Sequence, residues 1–288
     1  MSHLLPIEVE AVCQLNGPRD AECARGSLAC CPELAVDSWG VCRPEIQLAD
    51  AHVYLSTIAV PHTLAQLVPI RPAPPARIVE VGCGDGALAA ALATVGYDVT
   101  GVDRNAAMAE SASRRGVRVL QADIKDVAGE YDVVLFTRSM HHAENLHDTL
   151  AHAATLLAPD GQVIVEEFAW EPVDDAAAAF VYGHRAELVA AGLLDADHPS
   201  EQLLDAWIAG HQTLHTGSAM LDAIGRIGVN LITSDTSILW RLVDGRGGTW
   251  TVPTTQAGQA LNAMRDTEED LIATGELPSV GLLASVHC

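Results

Sequence analysis

The sequence predicts an α/β protein built on a doubly wound parallel sheet with helices on both faces. Between residues 77 and 168, short apolar, β-branched runs alternate with helix-spaced segments, at the pitch of strand–helix–strand units. Those strands are nearly continuous in apolar character, as strands buried on both faces are. A glycine cluster, Gly82-Cys83-Gly84-Asp85-Gly86, follows the first of them. A chain turning tightly from strand to helix beside a ligand needs glycine there.

Residues 1–45 are rich in Cys, Pro and Gly with weak periodicity and read as an extension with at most short helices. Residues 46–76 form a helical segment and linker. Ile46, Val53, Leu55, Ile58, Leu64 and Leu67 fall at helical spacing. Pro61 is expected to kink or split the helix, because it lacks an N–H and clashes with the preceding turn. The proline-rich stretch 71–77 ends the segment. The main domain is expected over 77–288. Strands are predicted at 77–81, 97–103, 117–122, 131–137 and 162–168. Helices are predicted after the glycine cluster, at 105–115 and at 143–157. Residues 170–216 interrupt the alternation with a long, alanine-rich helical insertion, expected to act as a lid over the pocket. The pattern resumes with a helix at 218–227, a strand at 229–233, a helix at 255–273 and a strand at 280–286.

Composition narrows the function. With 288 residues, 49% of them hydrophobic, the chain can bury a sizeable core, which excludes wholesale disorder. Lys+Arg 16 against Asp+Glu 38 gives a net charge of −22. Such a surface repels phosphate backbones and anionic membranes, and Lys125 is the only lysine. Neither nucleic acid nor membrane is therefore an expected partner. No apolar run approaches the roughly 18 residues of a membrane span. Glu8 and Glu10 stand where a secretory signal would be basic, so a cytoplasmic location is expected. Cys13, Cys23, Cys30, Cys31 and Cys42 cluster early, but without the paired C-x-x-C knuckles of a zinc site. No metal is expected.

The chemistry concentrates around Ile78-Val79-Glu80-Val81-Gly82-Cys83-Gly84-Asp85-Gly86. The loop formally satisfies the dinucleotide fingerprint as Gly82-x-Gly84-x-x-Ala87, with Asp103 about 20 residues further on for a ribose. Yet Glu80 and Asp85 beside a pyrophosphate would repel it. Taken alone, the loop leaves NAD(P) and a cationic nucleoside cofactor both open.

The downstream stretches separate them. Val99-Thr100-Gly101-Val102-Asp103-Arg104-Asn105, Gln121-Ala122-Asp123, the run 131–142 and the run 156–167 follow in order. With the glycine loop they resemble the five motifs of class I S-adenosylmethionine-dependent methyltransferases, in the small-molecule branch. The resemblance is strong over 77–168. It implies a Rossmann-like sheet, mostly parallel with an antiparallel last strand, and S-adenosylmethionine as cofactor. It implies that Asp103 holds the ribose hydroxyls, that Asp123 meets the adenine amino group and that Ala122 lies beside the ring. An Asp at position 123 also reads as the cap of the next helix. Gly82, Cys83, Gly84, Arg104 and Thr137 fall in the same implied cofactor site. Glu80 or Asp85 would meet the methionine ammonium or brace the loop.

Departures refine the acceptor. The Asn/Asp-Pro-Pro-aromatic of amino-group methylation on bases is replaced by Thr137-Arg138-Ser139-Met140, and no Pro-Cys nucleophile occurs. The expected reaction is methyl transfer to an oxygen or nitrogen of a small metabolite. His141 and His142, directly after the fourth strand, are the candidate bases; the alternative for either is a cap or a packing role. Arg138, Trp170, His184, Trp207 and His211 are candidate substrate contacts. His211 and His215 read as an i, i+4 pair on one helix. The competing readings are an NAD(P)-dependent oxidoreductase, disfavoured by the loop acids and the lack of Tyr-x-x-x-Lys, and a cofactor-binding, non-methylating catalyst or partner subunit.

Overall fold

The computed structural model describes residues 34–36, 42–44, 51–243 and 248–288. In the first unit, Met1–Gln47, β1 (Leu34–Val36) and β2 (Cys42–Pro44) pair antiparallel, Leu34 opposite Pro44. The sequence reading gave this region no strands. Cys13, Cys23, Cys30 and Cys31 lie outside the described residues.

The second unit, Leu48–Cys288, opens with α1 (Ala51–Leu67), which runs unbroken through Pro61. The expected split does not occur. Proline removes one helical hydrogen bond, while the turns on both sides of it are anchored, with Ala59, Thr63 and Leu67 buried. Then come β3 (Arg77–Val81), α2 (Ala87–Thr94), β4 (Asp98–Val102), α3 (Ala106–Arg114), β5 (Arg118–Leu120) and β6 (Tyr131–Thr137). They are followed by α4 (Leu146–Thr155), β7 (Leu157–Phe168), α5 (Asp175–Ala190), β8 (Leu194–Asp195), α6 (Leu203–His211) and α7 (Gly217–Ile224). The chain closes with β9 (Val229–Thr236), β10 (Thr249–Trp250), α8 (Thr254–Thr274) and β11 (Gly281–His287).

Seven strands form one sheet in the order β5-β4-β3-β6-β7-β11-β9. The pairs among β5, β4, β3, β6 and β7 are parallel. β11 enters antiparallel between β7 and β9. This is the Rossmann-like, doubly wound sheet with an antiparallel last strand that the sequence predicts. The reversal of winding between β3 and β6 puts the sheet's topological switch point at their carboxyl ends, where ligands bind in this architecture.

Strand alternation divides the core. Val79, Val81, Val134, Phe136, Val163 and Val165 face α4 and α7, with Leu150, Met220 and Ile224 packed on them. Ile78, Val133, Leu135 and Ile164 point the other way, against Leu67 of α1 and Leu88 and Leu92 of α2. These side chains are buried on both faces, at about 1.5–3 kcal/mol each relative to exposure.

Several boundaries differ from the sequence reading: α7 ends at Ile224 and not 227, β9 runs on to Thr236, and two more concern α4 and β7. A single 3-10 turn, Met140–His142, precedes α4, whose N-cap Asn145 accepts from the Asp148 N–H. β7 begins at Leu157, because Tyr131 pairs with Leu157 before the register shifts to Val133 opposite Gln162. In the insertion, β8 pairs antiparallel with β10. Buried Arg185 adds a staple, donating to the Asp197 carbonyl at 2.7 Å and the Val243 carbonyl at 2.9 Å.

Candidate functional site

A cleft of about 700 Å³ opens at the carboxyl ends of the strands, lined among others by Gly82, Asp103, Arg104, Ala122, Asp123, Arg138 and His142. The glycine loop forms one wall. Gly82 has φ +71, and a Cβ there would stand 2.5 Å from Ser139 Cβ. The close passage of β3 and β6 thus requires glycine. Ser139 locks the passage by donating to the Val81 carbonyl at 2.6 Å. At Gly84, φ +55, nothing lies within 4 Å of where a Cβ would be.

Asp103 follows β4. Its Oδ2 accepts from the Gly84 N–H at 2.9 Å and its Oδ1 from the Asn105 N–H at 2.8 Å. A carboxylate has about four lone-pair sites, so the two backbone bonds orient Asp103 and leave acceptor capacity toward the cleft. Asp123 is a cap, as one of its two readings had it, and it also lines the cleft. It caps the turn Ile124–Asp126 by accepting from the Lys125 N–H at 3.2 Å.

The remaining motif acids are not on the cleft wall. Asp85 is buried and bridges to Arg115 at 2.6 Å, tying the loop to the end of α3. Cys83 is buried against Gly101, where a Cβ would stand 2.7 Å from its Sγ; burial pushes its thiol up. Glu80 is 1% exposed and accepts from Thr137 Oγ1 at 3.0 Å. Burial drives its carboxyl up to about 8, against the lowering effects of Thr137 and Arg138, so it is largely protonated at neutral pH.

The two histidines diverge. His142 is on the cleft wall, and burial and neighbouring His141 lower its pKa. His141 is buried, with Nδ1 2.7 Å from Glu167 Oε2. Glu167, fully buried, also accepts from the N–H groups of Met140 at 2.6 Å, His141 at 3.3 Å and Phe168 at 3.3 Å.

Behind Arg138 lies a group the sequence reading missed. Glu166 is buried between Arg241, which bonds its Oε1 and also Thr63 Oγ1, and Arg138, whose Nε is 3.7 Å from its Oε2. Arg241 and Thr63 are also buried. The four residues come from four separate segments, and no local spacing signals their meeting.

The insertion residues support the site from the side. Trp207 is buried, donates to the Trp170 carbonyl at 2.9 Å and stacks on His211 at 3.9 Å. His211 packs on Phe168, and Phe168 on His141. His184 bonds Glu187 at 3.0 Å on α5. None of Trp170, His184, Trp207 and His211 is among the residues lining the cleft. His211 and His215 do not share a helix, because α6 ends at His211; His215 instead bonds the Ala143 carbonyl at 2.8 Å. Among the described residues, no three His, Cys, Asp or Glu side chains are grouped to hold a metal.

A cleft at the switch point of a doubly wound sheet, with an acid at the tip of its second parallel strand, is where nucleoside cofactors bind in this architecture. A family profile described as a methyltransferase domain matches residues 54–234, and the chain belongs to that family, among the class I S-adenosylmethionine-dependent methyltransferases. Ubiquinone biosynthesis O-methyltransferase of Rickettsia felis is 33% identical over 97 residues, 31% of this chain and 40% of that protein. The Azorhizobium caulinodans protein of the same name is 34% identical over 105 residues, 33% of this chain and 42% of that one. The matched region thus spans about 40% of the length of these curated relatives. A solved S-adenosylmethionine dependent methyltransferase from Mesorhizobium loti is similar at 16% identity, over 78% of this chain and 96% of that one, with a TM-score of 0.49.

Proposed function

We propose that the chain transfers a methyl group from S-adenosylmethionine to an oxygen or nitrogen of a small metabolite. The observation that carries this reading is Asp103, held by two backbone N–H groups with its remaining acceptor sites on a cleft shared with Gly82, Ala122 and Asp123. Vicinal ribose hydroxyls suit one such carboxylate, and Asp123 suits an exocyclic amino group. When bound, the cofactor supplies an activated methyl on a sulfonium, which departs as a neutral thioether. Little charge then needs stabilising, and the residues act mainly by alignment, worth about 7–11 kcal/mol in well-oriented pairs.

His142 is the proton acceptor in this proposal. It stands on the cleft wall, and its lowered pKa keeps the imidazole neutral and able to take the acceptor's proton at neutral pH. The Glu167–His141 pair positions the turn that carries it. Oxygen is the favoured acceptor atom, since the relatives named above are O-methyltransferases. The insertion 170–216 is proposed as the lid. A cytoplasmic location and a lack of nucleic-acid or membrane partners belong to the same proposal. The net charge of −22 supports it, as does the lack of any membrane-length apolar helix among the described residues.

Isothermal titration with S-adenosylhomocysteine and with NADH tests the core of this reading. The chain is expected to bind the first and not the second. Asp103→Ala is expected to weaken S-adenosylhomocysteine by roughly 100-fold, two charge-assisted hydrogen bonds being removed. Binding of NADH alone would overturn the proposal.

A further inference from the structure

Arg138 has a backbone that favours glycine and a guanidinium Nε without a hydrogen-bond partner among the described residues. Its φ is +51, a conformation that costs a non-glycine residue on the order of 1–3 kcal/mol and persists only where neighbours enforce it. They do so here: the Arg138 N–H donates to the Glu166 carbonyl at 2.7 Å, and the next residue, Ser139, is tied to the Val81 carbonyl. Arg138 lines the cleft, and its side chain keeps 28% of its exposure.

The acids behind Arg138 engage it only loosely. Glu166 is the carboxylate nearest to Arg138, and Arg241, fully buried, holds it by a direct hydrogen bond. Glu80, the next acid on this face, is raised toward neutrality by burial. Glu167, although adjacent in sequence, points through the opposite face and is occupied by four donors. Of the two guanidinium groups flanking Glu166, Arg241 makes a hydrogen bond to it, while Arg138 Nε stands off at 3.7 Å. Arg138 Nε and Glu166 Oε2 are both buried without a hydrogen-bond partner among the described residues, so Glu166 does not satisfy the Arg138 fork.

We propose that Arg138 is a carboxylate seat inside the cleft, taking a planar monoanion from a bound ligand. This rests on the methyl-transfer reading. The guanidinium fork matches a planar carboxylate in two parallel bonds. Asp103, Asp123, Glu144 and Asp148 line the same cleft and oppose a dianionic phosphate about twice as strongly as a monoanionic carboxylate. Two ligands bring such a carboxylate: the amino-acid end of the methyl donor, and an acceptor that is itself a carboxylic acid.

Calorimetry on wild type, Arg138→Gln and Arg138→Lys distinguishes the sources. The probes are S-adenosylhomocysteine, 5′-methylthioadenosine (the nucleoside without the amino-acid end) and benzoate added to the S-adenosylhomocysteine-loaded protein. If the donor's carboxylate sits on Arg138, Arg138→Gln weakens S-adenosylhomocysteine by roughly 10–150-fold and leaves 5′-methylthioadenosine unchanged. If an acceptor's does, S-adenosylhomocysteine is unchanged, and the loaded wild type binds benzoate that the variant releases by a similar factor. In either case Arg138→Lys falls between, keeping the charge and losing the fork. Equal binding of all three probes by wild type and Arg138→Gln overturns the seat. So does a parallel loss of S-adenosylhomocysteine and 5′-methylthioadenosine, which marks a collapsed site. Failure of wild type to bind S-adenosylhomocysteine overturns the methyl-transfer reading itself, and this proposal with it.

Discussion

Glu166 and Glu167 are neighbours in sequence, are both buried at the tip of β7, and serve opposite ends. Glu167 faces α4 and α7, where three backbone N–H groups and the His141 ring consume its acceptor sites. It works as a staple for the turn after β6. Glu166 faces α1, beside Thr137 on the adjacent strand and near Glu80 one strand further. Its partners are charged side chains from distant segments, and some of their polar atoms have no hydrogen-bond partner among the described residues. A buried carboxylate surrounded by backbone donors is a finished structural element. A buried carboxylate flanked by two arginines, one of them lining the cleft, leaves that arginine for a ligand in the proposal above.

Removing Arg241 gives the sharpest break in this comparison. Arg241→Ala leaves Glu166 buried with only Arg138 at 3.7 Å, and an orphaned buried charge costs about 3–5 kcal/mol. Urea unfolding should show that loss as a lower midpoint. The double variant Arg241→Met with Glu166→Met should regain most of it, since an apolar pair of similar volume is often neutral or better. Failure of the double variant to recover would mean that the cluster holds the fold by packing and not by charge.

Glu80 offers a smaller, pH-dependent effect on the same face. Its folded pKa, about 8, lies above the ordinary 4.5, so between these values the unfolded chain releases a proton that the folded chain keeps. Stability from this group is full below about pH 4.5, falls as pH rises, and is lost above about 8. Relative to Glu80→Gln, which stays neutral and still accepts from Thr137, wild type should lose on the order of 2–3 kcal/mol across that window. This is below the ceiling of about 1.36 kcal/mol per pKa unit, because a buried site relaxes when it ionises. Parallel stability curves for the two proteins from pH 5 to 8 would contradict the assignment.

Asp123→Ser probes the proposed donor side of the cleft, with the smallest expected change. Serine is as good a cap as aspartate, so stability should stay within about 0.5 kcal/mol, while S-adenosylhomocysteine binds roughly 10-fold more weakly for want of one charged acceptor. Unchanged affinity would reduce Asp123 to a cap.

What the amino-acid order determined by itself is whatever rests on near neighbours in the chain. The strand–helix alternation, the glycines between β3 and α2, and the acids after β4 and β5 are local patterns. They were sufficient to read the sheet and the Asp103 side of the cleft, because backbone conformation and strand-end position follow from a few adjacent residues. The tertiary structure alone decided the rest. It kept α1 whole through Pro61, because packing on both sides outweighs one lost hydrogen bond. It turned Asp85 toward Arg115, and it put Trp207 and His211 behind the cleft and not on its wall. It separated His141 from His142 by giving one a buried carboxylate and the other the cleft. It also drew Thr63, Arg138, Glu166 and Arg241 into one cluster across 178 positions of sequence. A carboxylate's role depends on which charges and donors surround it in space, and sequence separation carries no record of that.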